Sequence, residues 1–278
     1  MARVTGVAAD REAERGSSFG AVASAYADLR PRYPADAVRW ALAPLGTDVA
    51  GLRVVDIGAG TGILTELLIG LGADVTAVEP DESMRAEFRR RLPSARLLAG
   101  SAEDLPLPAG SADAVLCGQS LHWFNLDLAL PEIARVLVPG GVLGGLWNND
   151  DDRVDWVAGL HAAADGMASP GLSVRRALTD SFQADRLVPW GFTATERAEF
   201  PNTQRCTAES LADTIGTHSQ LLVMPAPERE QLLARVSDYL RSLPETSGGE
   251  FTLPLVTLVL RTTRQAGTAG NPPGAVES

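Results

Sequence analysis

Three glycines, Gly58, Gly60 and Gly62, follow the apolar run Val54-Val55-Asp56-Ile57 and open a helix-like stretch that begins at Ile63. Glycine at that spacing permits a tight turn and a close approach of backbone to ligand. The turn stands at the carboxyl end of a strand, where open α/β sheets bind nucleotides. The dinucleotide fingerprint G-x-G-x-x-G requires glycine at position 63, and this chain has Ile63 there. Asp56 stands just before the loop, where a carboxylate repels a pyrophosphate and favours a cationic ligand. Glu79 ends the next apolar run, about twenty residues past the glycines, where an acid can accept both hydroxyls of a ribose. NAD also carries ribose, so an NAD(P)-dependent oxidoreductase is the alternative reading.

The chain has three histidines, His122, His161 and His218. His122 lies in Ser120-Leu121-His122-Trp123-Phe124, just past a fourth strand-like run, where it is either a general base or, with Trp123, the floor of a ligand site. His161 falls four residues after Val157 and seven after Val154, on one helix face, where it is either packed or within reach of a substrate. Neither the histidines nor the two cysteines, Cys117 and Cys206, have ligand spacing for a metal, so none is expected. Two widely spaced cysteines suit a reducing compartment.

The elements that must position these residues are legible as short apolar runs at 52–57, 74–79, 95–98, 112–117 and 141–147, with helix-like stretches at 63–69, 83–92 and 128–137 between them. Met84, Phe88 and Leu92 form one apolar stripe, and Leu130, Ile133, Ala134 and Leu137 another. Strand and helix alternating in this way predict a doubly wound, mostly parallel, Rossmann-like α/β sheet with helices on both faces. Runs at 193–200 and 251–260 complete it as seven strands, and acids at 150–155 lead into a helical cap inserted after the fifth. The expected boundaries are a mobile N-terminus at 1–18, a core with an N-terminal lid segment at 19–150, the cap at 151–190, the completing strands and helices at 191–261, and a mobile tail at 262–278. Among 278 residues, 24 Lys+Arg face 35 Asp+Glu, a net charge of −11, which offers nucleic acid and anionic membrane no electrostatic footprint. The longest late apolar run, 251–260, is about half of a membrane span. With no apolar stretch in the first twenty residues to direct export, the expected location is the cytoplasm.

Asp56, Gly58, Gly60 and Gly62 match D/E-x-G-x-G-x-G, and here the chain resembles the class I S-adenosylmethionine-dependent methyltransferases. The resemblance extends through Val78-Glu79-Pro80, the segment Gly100 to Pro106, Asp113 to Ser120, and the turn Pro139-Gly140-Gly141, so that it covers about 50 to 148. It implies S-adenosyl-L-methionine as cofactor, held by Asp56, Gly58, Ala59, Gly60, Gly62, Glu79, Pro80, Met84, Ser101, Ala102, Glu103, Gln119, Ser120 and Trp123. The stretch from Phe19 to Pro34 is similar to a small-molecule subgroup (methyltransferase type 11-like) in which an N-terminal segment folds over the donor. That adds Tyr26 and Arg30 on the cofactor and Tyr33 on the acceptor. Leu146 to Asp150 is similar to the same subgroup, some of whose members esterify small carboxylic acids, and adds Asn148 and Asn149, with His161, as acceptor contacts. The implied reaction moves a methyl to an oxygen (a carboxylate or hydroxyl) of a small molecule, with nitrogen or carbon as the alternative acceptor atoms and His122 as candidate base, although an ionised carboxylate needs none. A scaffold that binds the cofactor without turnover is the remaining alternative. Oligomeric state is open.

Overall fold

A computed structural model describes residues 30–164, 187–216, 221 and 223–265. Tyr26, His218, the expected mobile N-terminus and most of the expected cap lie outside the described residues. A seven-stranded sheet comprises β1 (Arg53–Ile57), β2 (Asp74–Glu79), β3 (Arg96–Ala99), β4 (Ala112–Gly118), β5 (Leu137–Asp150), β6 (Glu196–Cys206) and β7 (Phe251–Thr263). Its order is β3-β2-β1-β4-β5-β7-β6. The first five strands pair in parallel. β7 runs against β5: Gly140 N–H and Asp151 N–H, at opposite ends of β5, donate to Arg264 O and Pro254 O.

The described residues divide into two compact units. One comprises 33–147, 187–200 and 257–265, the other 30–32, 148–164 and 201–256. In the first, the period of two along each strand sorts its residues into two cores. Val54, Ala114, Leu116, Val142, Leu146 and Val259 pack with α1 (Ala35–Leu42) and α2 (Ile63–Gly70). Their neighbours Val55, Val115, Cys117, Leu143, Trp147 and Leu258 pack with α4 (Leu126–Val136). Both faces are therefore covered, which is why these strands read as continuous apolar runs. α3 (Glu82–Arg91) follows β2 and starts on an Asp81 side-chain cap of Met84 N–H. In the second unit, α5 (Asp155–Ala163), α6 (Ala208–Gly216) and α7 (Ala226–Ser242) bury Val157, Leu160, Leu211, Ile215, Leu232, Val236 and Leu240 with Phe251 and Leu253.

β7 continues to Thr263, past the expected end of the folded part at 261. Thr262 is buried and its hydroxyl donates to Thr193 O at 2.8 Å. No helix among the described residues is long and apolar enough to cross a membrane.

Gly144 and Gly145 on β5 make room for large neighbours. A Cβ on Gly145 would lie 2.2 Å from the ring of Trp147, which is fully buried, and one on Gly144 would meet Leu116 at 2.6 Å. Gly145→Ala is expected to destabilise the fold by about 1–3 kcal/mol, because a packed ring cannot retreat. A lowered urea midpoint at unchanged slope checks this.

Candidate methyl-donor site

The parallel register sets the carboxyl ends of four strands side by side: Ile57 pairs with Val78, Glu79 with Ala99, and Gly118 with Leu146. The loops that leave those ends carry most of the expected site. Gly58, Gly60 and Gly62 adopt φ of 67°, 55° and 92°, the left-handed region that only glycine enters cheaply. Gly58 has a second constraint, since a Cβ there would lie 2.6 Å from Ser120 Cβ. Gly62 is pressed against Phe88 and Leu92 in the same way, whereas Gly60 has nothing within 4 Å of where its Cβ would be. The open side of the turn is therefore at Gly60.

Two buried carboxylates hold this turn. Glu79 accepts Gly60 N–H on Oε2 at 2.8 Å and Asp81 N–H on Oε1 at 2.9 Å, so one side chain ties the glycine loop to the end of β2. Burial raises its pKa, the two amides working against that. Gly58 and Ala59 N–H donate to Val78 O, completing the link. Asp56 accepts Thr65 Oγ1 on Oδ2 at 2.6 Å, while its Oδ1, and Thr61 Oγ1, are buried with no partner among the described residues. Burial pushes the Asp56 carboxyl up to about 7, and Glu79 nearby adds to the rise. Buried polar atoms of this kind ordinarily find a partner, so the loop presents unused acceptors.

The β4 end supplies a strained residue. Gln119 has φ 56°, the one non-glycine residue with positive φ among those described, and is pinned by donating its N–H to Leu146 O at 2.9 Å. Such strain costs about 1–3 kcal/mol and clusters at functional sites. Ser120 is buried and donates to Ile57 O at 2.6 Å, locking the β4 loop to the glycine turn.

Residues 55–144 match the methyltransferase-domain family. The chain is 38% identical over 247 residues to an uncharacterized methyltransferase of Mycobacterium tuberculosis, spanning 88% of this chain and 95% of that protein. It is 31% identical over 224 residues to an uncharacterized methyltransferase-like protein of Schizosaccharomyces pombe, spanning 79% and 84%. The chain belongs to the class I S-adenosylmethionine-dependent methyltransferases. Among solved structures, a candidate type II methyltransferase of Anaeromyxobacter dehalogenans superposes with a TM-score of 0.62 at 25% identity, covering 84% of this chain and 97% of that one.

In this methyltransferase His122 is half-buried and its role is narrowed by two contacts. Trp147 Nε1–H donates to His122 Nδ1 at 3.4 Å, and the ring of Trp123 lies 4.8 Å away at 41°. Burial lowers the His122 pKa to about 4. A base needs a free lone pair and a pKa near the working pH; here the Nδ1 lone pair is taken and the proton affinity is low. Past β3, Ala102 is buried, Ser101 bridges Asp104, and Glu103 Oε1 accepts Asn125 N–H at 2.9 Å, which fixes the start of α4. Pro80 is exposed in the turn that Arg85 braces through Glu79 O and Pro80 O, and Met84 is buried on α3. Tyr33 is brought to the β4 end, its hydroxyl 2.8 Å from where a Gly118 Cβ would be.

In the second unit, Asn148, expected on the acceptor, is held by hydrogen bonds on both ends of its amide. Its Nδ2 donates to Pro31 O and Arg32 O, and its Oδ1 accepts Asn202 Nδ2, which also reaches Arg32 O. These bonds fasten the segment beside Arg30 to β5 and β6. Asn149 is buried. His161 donates Nε2–H to Asp150 Oδ2 at 2.9 Å. The sequence reading did not single out Thr61, Thr65, Asn202 or Asp150 for these parts; their only signal was adjacency to the glycines, to Asn148 or to a histidine in space.

Proposed function

We propose that this methyltransferase binds S-adenosyl-L-methionine over the turn at Gly60 and transfers its methyl to an oxygen of a small molecule. The observation that carries the reading is the pair of buried carboxylates, Asp56 and Glu79, on either side of that turn. Each Glu79 oxygen accepts one amide and keeps a lone pair for a ribose hydroxyl. The unused Asp56 Oδ1 and Thr61 Oγ1 suit donors of a cationic nucleoside. Two carboxylates in the same place oppose pyrophosphate, which disfavours a dinucleotide. Gly58, Ala59, Ser101, Ala102, Gln119 and Ser120 complete the donor contacts in this reading, with Trp123 and Met84 behind them and Tyr33 on the acceptor. The buried free thiols Cys117 and Cys206 suit a cytoplasmic setting.

The donor supplies a methyl already activated on a sulfonium, so the chain's own task is to bind, align and exclude water. His122 belongs to the site wall. His122→Gln is expected to keep turnover within about threefold, under 1 kcal/mol of barrier. Steady-state rates on any accepted substrate check this; a loss of about a hundredfold would return the base role to His122.

Titration calorimetry tests the donor reading. Micromolar binding of S-adenosylmethionine and of its demethylated product, with no heat from NADH, is expected. NADH binding with no response to either sulfur nucleoside would overturn it.

A further inference from the structure

Segment 101–107, between β3 and β4, belongs to no helix or strand, so its backbone groups need partners from elsewhere. α4 supplies them. Asn125 N–H, at the start of that helix, donates to Glu103 Oε1 at 2.9 Å. Seven residues on, about two turns, Glu132 Oε2 accepts Leu105 N–H at 3.0 Å. Arg135 donates from Nη2 to Leu105 O at 3.0 Å and from Nη1 to Leu107 O at 2.7 Å. The two side chains, three residues apart, also form a fork with each other, Nε to Oε1 at 2.8 Å and Nη2 to Oε2 at 2.7 Å.

We infer that Glu132 and Arg135 are positioning residues, which hold this segment in the shape that reads the donor's adenine, so that selectivity for the base is set from α4. The inference rests on the methyl-donor reading above and deepens it. Every residue in it belongs to one compact unit.

The strand order says which part of the donor the segment meets. In that reading Asp56 on β1 faces the cationic end and Glu79 at the end of β2 takes the ribose. The base then extends one strand further, about 5 Å, to the end of β3, where Ala99 pairs with Glu79. The segment leaves from that point and is closed on itself, since a Cβ on Gly100 would lie 2.7 Å from Pro106 and 3.3 Å from Val78. Ala102, Leu105 and Leu107 share one core with Leu130, Ile133 and Ala134 of α4. Apolar packing is not directional, so it keeps the segment in place without fixing where its amides and carbonyls point. The Glu132–Arg135 fork fixes them. A partly exposed ion pair adds little to stability by itself, but this one spends its remaining groups on one amide and two carbonyls of the segment. Its hydrogen bonds hold the Glu132 carboxyl below its ordinary range and raise Arg135, so the pair is ionised near neutrality.

The test compares S-adenosylhomocysteine with S-inosylhomocysteine by titration calorimetry. Adenine offers N1 as an acceptor and a 6-amino group as a donor, where hypoxanthine has N1–H and an oxygen; the Ala102 N–H and the Glu103 carboxylate are complementary to the first and not to the second. Wild type is expected to prefer the adenosyl compound by at least about tenfold. In Arg135→Met and in Glu132→Ala the preference should fall to within about threefold of unity, through weaker binding of the adenosyl compound, and the double variant should fall no further because the pair acts as a unit. Arg135→Lys, which keeps the charge but not the fork, should lie between. Both constants come from one sample, so a smaller folded fraction leaves their ratio unchanged. Arg53→Met, which breaks a comparable fork on Asp113 at the start of β1, should lower the urea midpoint and keep the preference. No preference in wild type, a preference retained in Arg135→Met and Glu132→Ala, equal losses for both compounds, or a preference lost in Arg53→Met each overturns the inference. Failure of S-adenosylhomocysteine to bind wild type overturns the donor reading beneath it instead.

Discussion

Glu79→Ala is expected to abolish measurable donor binding, a loss of at least about 100-fold, while leaving the protein folded. The side chain serves two purposes, and only one of them is to meet ligand. Its carboxylate holds Gly60 N–H and Asp81 N–H at 2.8 and 2.9 Å, and both amides lose their acceptor when it is truncated. Hydrogen bonds to a charged group are worth about 1.5–3 kcal/mol each, so the loop gives up about 3–6 kcal/mol of fixed geometry before any ribose contact is counted. Water can enter to satisfy the amides, which is why the main loss is expected in affinity rather than in folding. Glu79→Gln separates the two purposes. Its amide oxygen can keep one of the two backbone bonds, whereas its NH2 cannot accept the other. It should lie between wild type and Ala, and calorimetry on the three proteins orders them. Equal affinities for all three would mean that the turn is held by Val78 O alone.

The parts of this fold that could be read in the sequence are those in which local chemistry and tertiary role coincide. β1, β2 and β4 are buried on both faces, so they stand out as apolar runs, and the glycines between β1 and α2 need positive φ whatever they bind. β6 was legible only to Phe200. Beyond it come Pro201, Asn202, Thr203, Gln204 and Arg205, polar residues that an edge strand tolerates because part of it stays exposed. β7 runs past residue 260 for a related reason. Arg261 looks like solvent-facing charge, but it lies 4.0 Å over the ring of Trp40 and pairs with Glu196, so the strand continues through it. The roles of His122 and Asn148 depended on partners far along the chain. Trp147 is 25 residues from His122 and is placed by the pairing of Gly118 with Leu146, while Asn148 closes on the carbonyls of Pro31 and Arg32. Residue type alone offered both as chemistry, and what the fold adds is their contacts: His122 accepts from Trp147, and Asn148 bridges two carbonyls and Asn202.

Asp56→Asn should stabilise the ligand-free protein above pH 7 and weaken its hold on the donor. Burial lifts the Asp56 carboxyl to about 7 from an ordinary value of 3.8, so between those values the folded chain keeps a proton that the unfolded chain has released. Stability therefore falls as pH rises through that window, by on the order of 4 kcal/mol for a shift of this size. Glu79, raised by burial, acts in the same direction. Asparagine has no charge to bury and its oxygen can still accept the Thr65 hydroxyl now bound by Asp56 Oδ2. The variant should match wild type near pH 4 and exceed it near pH 8, so that urea midpoints at the two values diverge. A cationic donor reverses the balance, since its charge favours the ionised carboxylate that the empty fold resists. Binding near pH 6 should then release a proton from wild type and none from Asp56→Asn, a difference read by calorimetry in buffers of contrasting ionisation enthalpy. If the variant is less stable than wild type at pH 8, Asp56 is ionised in the free protein and the buried carboxylate is compensated by a group not yet recognised.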